Sequence, residues 1–166
     1  MAEKEKEIAL EEEIKADNVV VIGWLLYCKE RKREYEQKKE MIINSSFSDR
    51  FSEVPGKAYI SDSTARKAVK LAELEKTEKW IELIEEVERR LPWKMQLILR
   101  LRRESKYSRR FKGYWRVYVQ RKYVEKVAEM LNKSEEDVWV SEETIRRFWD
   151  KIVNYTARLA GKRGLL

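Results

Sequence analysis

Apolar residues recur at spacings of three and four along most of the chain, the period of helices that bury one face. The clearest stripe is C-terminal. After Ser141, the residues Ile145, Phe148, Trp149, Ile152, Thr156 and Leu159 share one side, while Glu143, Arg147, Asp150, Asn154 and Arg158 share the other, flanked by Arg146 and Lys151. Ser141 is a good N-cap type, and Gly161 after Ala160 predicts where the helix stops. From Tyr114, the residues Val117, Val124, Val127, Ala128 and Leu131 line one side of a preceding helix, with Ala128 small enough to let a second helix approach closely. The pair reads helix, turn, helix. The connection at 132–140 is longer than the ~3–4 residues usual for that motif. Ser134-Glu135-Glu136-Asp137 also repeats the cap-like spacing of Ser141-Glu142-Glu143-Thr144. Either a short extra helix fills the turn, or the second helix begins earlier than Ser141; the longer stripe favours the later start.

Upstream, Ser61 and Asp62 are cap types before a helix that continues through Trp80, Leu83, Ile84 and Val87. Leu91-Pro92 breaks it, and Pro92 suits the first turn of the next helix, whose stripe is Met95, Ile98 and Leu101. The serine-rich stretch Asn44 to Ile60, with Pro55 and Gly56, predicts a loop. The first forty residues read as one helix or two, acidic from Glu3 to Asp17 and mixed in charge from Lys29 to Lys39. Between them lies the apolar run Val19 to Tyr27. That run is either a buried helix or short strand, or a self-association face that would make a homodimer. The expected architecture is all-α: an N-terminal helical arm (1–44), a linker (45–60) and a helical domain (61–166) with its helix-turn-helix at about 114–160.

Composition narrows the chemistry. The chain is 43% hydrophobic, enough for a core despite 40% charged residues. Histidine is absent and Cys28 is the sole cysteine, which excludes an internal disulfide, a Cys/His zinc site and any Ser-His-Asp or Cys-His catalytic set. No cofactor or metal is expected, and an enzyme is the least favoured class. Glu135-Glu136-Asp137 could hold magnesium, but adjacent acids on a polar turn read as a solvated cap. The apolar run is about half the ~20 residues that cross a bilayer and follows an acidic stretch, so neither a membrane span nor a signal peptide is expected. A cytoplasmic protein is the simplest reading.

Charge then points to a partner. The net charge is +7, yet residues 1–60 carry −2 and residues 104–166 carry +6. Residues 100–122 hold ten bases (Arg100, Arg102, Arg103, Lys106, Arg109, Arg110, Lys112, Arg116, Arg121 and Lys122) against the acid Glu104. Tyr107, Phe111, Tyr114, Trp115 and Tyr118 are interleaved. Phosphates call for many cations on one surface, and aromatics can anchor the segment or stack on bases. The expected partner is double-stranded DNA. An RNA-binding adaptor is the reading that gives the aromatics most weight.

The stretch Tyr59-Ile60-Ser61-Asp62-Ser63-Thr64, together with Val127-Ala128-Glu129-Met130-Leu131 and Ser141-Glu142-Glu143-Thr144-Ile145-Arg146-Arg147, resembles phage-encoded transcriptional activators of the RinA and ArpU type. Their C-terminal module is similar to region 4 of sigma factors. Ser63 stands where the family usually has proline, and the turn is longer than the family's. The resemblance implies a late-gene regulator in a bacterial host that binds promoter DNA beside RNA polymerase. Residues 141–158 would enter the major groove while residues 100–122 grip phosphates. Arg146, Arg147 and Lys151 would lie near the bases, with Ser141 and Thr144 able to reach backbone or bases. A small terminase-like packaging subunit would also be helical and DNA-binding, although that class usually places its DNA-binding module first.

Overall fold

The C-terminal stripe is the axis on which the other helices close. In the computed structural model, which describes residues 2–48, 62–107 and 114–166 (side chains of 4–44, 68–107 and 114–166), the chain is all-α. Its helices are α1 (Ala2–Ser48), α2 (Asp62–Arg90), α3 (Trp93–Ser105), α4 (Trp115–Leu131) and α5 (Glu142–Lys162). Helix α5 touches each of the other four. Leu83 and Ile84 of α2, Ile98 and Leu101 of α3, Val119 of α4 and Ile145 and Ile152 of α5 are fully buried in one core. Each such side chain contributes about 1.5–3 kcal/mol by leaving water. Most of the loop expected at 45–60 and the cap at Ser61 lie outside the described residues, but α1 runs on to Ser48.

The apolar run of α1 is helical and divided. Val21, Trp24, Leu25, Leu26 and Cys28 enter the same core, whereas Val19, Val20 and Tyr27 are exposed. Trp24 stacks on Trp80 of α2 with ring centroids 5.2 Å apart, and the Arg31 guanidinium lies over Trp24 at 4.2 Å. Gly23 makes room for that arginine, since a Cβ there would sit 3.3 Å from it. Burial pushes the Cys28 thiol up to about 11, so it stays protonated and inert.

Helix α1 kinks at Tyr27, where φ −114° and ψ 17° leave the helical region. No proline causes this. The kink coincides with side chains from α3 and its C-cap residue that reach the backbone, a recognised origin of bending. Arg103 Nε donates to Leu25 O at 2.7 Å, and Lys106 Nζ donates to Leu26 O. Arg103 also pairs with Glu88 of α2 at 2.5 Å, and Lys106 pairs with Glu30 at 2.7 Å. With Tyr107 also donating to it, the Glu30 carboxyl is held down at about 2.

Two boundaries shift from their expected places. Pro92 is the N-cap of α3, one residue before its first turn, and Gln96 Nε2 closes the end of α2 by donating to Glu88 O and Leu91 O, both at 2.9 Å. Helix α5 runs through Gly161 and stops at Lys162. The positive φ (64°) belongs to Gly164, after which buried Leu165 donates its N–H to Ala160 O at 3.0 Å. Arg163 pairs with Glu86 of α2. Leu165 and Arg163 thus tie the C-terminal turn to the rest of the protein, and a Cβ at Gly161 would meet nothing within 4 Å.

Candidate nucleic-acid interface

Helix α4 ends on Asn132, left-handed at φ 51°, and Lys133 N donates to Ala128 O at 3.0 Å. The chain then makes a hydrogen-bonded turn over 135–138, not a further helix. Ser134 Oγ accepts from Asp137 N at 3.3 Å and bonds the Asp137 carboxylate at 2.8 Å, so the cap-like spacing closes a turn. Gln120 of α4 holds the far end by donating to Val140 O at 3.0 Å, with Val138 and Val140 packed on the core. Ser141 Oγ accepts from Thr144 N at 3.1 Å and caps α5. Of the two starts the sequence left open, the later is the one formed.

Helices α4 and α5 meet through Trp115 and Trp149, edge to face at 6.0 Å. The Arg102 guanidinium of α3 lies over both rings, 4.4 Å from Trp115 and 5.6 Å from Trp149. Its Nη1 donates to Ser105 Oγ at 3.2 Å. Desolvation by burial lowers the arginine's pKa from its ordinary value.

The outer face of α5 carries Glu143, Arg146, Arg147, Asp150, Lys151, Asn154 and Arg158, all exposed. It divides in two along the helix. On one side Glu143 grips Arg146 with two bonds of 2.8 and 2.9 Å, and Asp150 lies 3.7 Å from the same arginine. This grip holds the Glu143 carboxyl down at about 2. On the other side Arg147, Lys151, Asn154 and Arg158 follow one another at spacings of four, three and four. Arg147 lies 3.4 Å from Glu143, while Lys151 and Arg158 pair with nothing among the described residues.

The expected site residues therefore separate. Arg147 and Lys151 stand outward on the less committed side. Arg146 is outward but engaged by acids of its own helix. Ser141 and Thr144 are half-buried and bonded to each other at 3.0 Å, their hydroxyls serving the cap. Arg116 and Arg121 are exposed on α4 with no partner among the described residues, and Lys122 pairs with Glu125 at 2.8 Å. Arg109, Arg110 and Lys112 lie outside the described residues. Arg158 was not among the expected contacts, although its place on the face of Arg147, eleven residues on, marks it in the sequence.

The phosphate-gripping role expected for the whole basic run 100–122 needs correction at its start. Arg102 serves the aromatic joint, and Arg103 and Lys106 serve the kink of α1; the latter two side chains are only 12% and 11% exposed. Arg100 remains exposed. Of the interleaved aromatics, Trp115 and Tyr118 pack against the core, while Tyr107 and Tyr114 are exposed.

Compared with known proteins, the chain matches no family model, and no curated protein or solved structure matches it. Among the described residues, no helix is long and apolar enough to cross a membrane, and no group of three or more acids or cysteines is placed to hold a metal.

Proposed function

We propose that this chain is a sequence-specific, double-stranded-DNA-binding transcriptional regulator that reads the major groove with α5. The observation that carries this reading is the outward row Arg147–Lys151–Asn154–Arg158. It comprises three cations and an amide on a helix whose opposite face is anchored to every other helix, and only weak pairing competes for the cations. A reading helix needs both properties: rigid backing, and donors free to meet base edges and phosphates. Arg116 and Arg121, with Arg109, Arg110 and Lys112 of the neighbouring segment, supply the phosphate grip. The resemblance to phage late-gene activators adds bacterial RNA polymerase as the second partner, in the host cytoplasm. In this reading the protein binds and recruits, and catalyses nothing.

Competition binding checks it. Labelled duplex DNA should be displaced by duplex far better than by single-stranded DNA or RNA. Arg147→Glu with Lys151→Glu should weaken binding by at least about tenfold, since a lost bidentate base contact costs ~1–3 kcal/mol and a lost phosphate contact weakens binding to every sequence. Preference for single-stranded RNA, with both substitutions harmless, would move the interface to the exposed tyrosines of the basic run.

A further inference from the structure

Among the described residues, two exposed apolar surfaces carry opposite charge. The first is the N-terminal part of α1. At a helical turn of about 100° per residue, Leu10 and Ile14 continue the stripe that enters the core as Val21, Trp24, Leu25 and Cys28. They are nevertheless 56% and 51% exposed. Residues 4–16 are exposed throughout, so nothing among the described residues buries this stretch. Glu7, Glu11, Glu13 and Asp17 border the stripe on its two sides, with Lys6 between them and Lys15 4.0 Å from Glu11.

The second surface is a groove of about 540 Å³ between the later part of α1 and the beginning of α2. Trp24, Tyr35, Met41 and Leu74 give it apolar walls, and Met41 is 62% exposed. Arg31, Lys38 and Lys70 outnumber Glu34 and Glu73 around it. Lys38 and Lys70 form no ion pair among the described residues.

We propose that this groove receives the Leu10–Ile14 stripe of a second copy of the chain, making a reciprocal dimer. Anchors four residues apart on an amphipathic helix are the spacing by which a helix is held in an apolar groove. The acids beside the anchors would meet Lys38 and Lys70. The stripe cannot fill the groove of its own chain, because Leu10 and Met41 lie on one helix, on the order of 45 Å apart along its length. Two copies related by a two-fold axis fill both grooves at once. The inference is independent of what α5 binds.

Light scattering on the full chain, from about 1 to 100 µM, reads the assembly. The wild type should be a dimer, and Leu10→Glu with Ile14→Glu should raise the dissociation constant about tenfold or more. Two further chains exchange the charges. One carries Glu11→Lys and Glu13→Lys, the other Lys38→Glu and Lys70→Glu. Each alone should dimerise about tenfold more weakly, and an equimolar mixture should recover wild-type affinity, because both contacts in the mixed dimer are then complementary. All these positions are exposed, so helicity by circular dichroism should be unchanged. A wild type that stays monomeric at the highest concentration overturns the proposal. So does a dimer indifferent to the Leu10 and Ile14 changes, or a mixture no tighter than its components.

Discussion

Arginine and lysine do two kinds of work in this protein, and the environment of each one decides which. Arg103 and Lys106 hold carbonyls at the Tyr27 kink, and Arg102 lies over two tryptophan rings, while Arg147, Lys151 and Arg158 stay outside. In the sequence all six read as basic residues near the C-terminal third, and composition cannot sort them. What draws Arg103 and Lys106 inward is a kink that no proline or glycine pair announces. The outward row, by contrast, was legible from helical period alone, because α5 has a continuous apolar stripe to fix its rotation. Two outcomes follow at this scale. Arg147→Ala should relax sequence preference and cost ~1–3 kcal/mol in binding, with Arg146→Ala costing less because Glu143 already engages that side chain; titrations against matched and mismatched duplexes compare them. Glu30, held near 2 against its ordinary 4.5, contributes stability that is complete above about pH 4.5 and is lost as pH falls toward 2. The difference in thermal midpoint between wild type and Glu30→Gln should therefore be larger at about pH 7 than at about pH 3. An equal difference at both would mean that the carboxylate's charge is not what matters there.

Among the elements, α5 carries the most, since its stripe is both the centre of the core and the support of the proposed reading face. Trp149 is its most consequential side chain: it meets Trp115 of α4 and lies under Arg102 of α3. Trp149→Ala should cost ~3–5 kcal/mol in a denaturant titration, as large aromatic truncations in cores do. Ser141→Ala removes only the cap and should cost ~1 kcal/mol. A Trp149→Ala protein as stable as the Ser141→Ala one would mean that the three-helix joint contributes little. The helix pair itself was readable from its stripes and from Ser141. The turn was not, because Ser134 and Ser141 offer the same cap chemistry. What differs is their surroundings: Gln120 and the packing of Val138 and Val140 hold the chain between the turn that the first closes and the helix that the second starts. The end of α5 misled for a related reason. Gly161 can stop a helix, but the docking of Arg163 and Leu165 carries the chain past it.

At the scale of the whole molecule, the charge separates along the chain: an acidic N-terminal stretch of α1, and a C-terminal third that holds most of the +7. Under the proposed function the outward cations of α5 and α4 bind a duplex, while the proposed docking of α1 pairs two copies. A dimeric reader would then favour sites with two related half-sites. The measurement that bears most directly on the central claim is selection from random duplex DNA, followed by binding of the selected sequence across a salt series. The expected result is an enriched sequence bound with a steep salt dependence, the slope flattening by about 2–3 when Arg147, Lys151 and Arg158 are all replaced by alanine. The contradicting result is no duplex binding at low salt, or binding whose strength, sequence preference and salt slope are unchanged by those three substitutions.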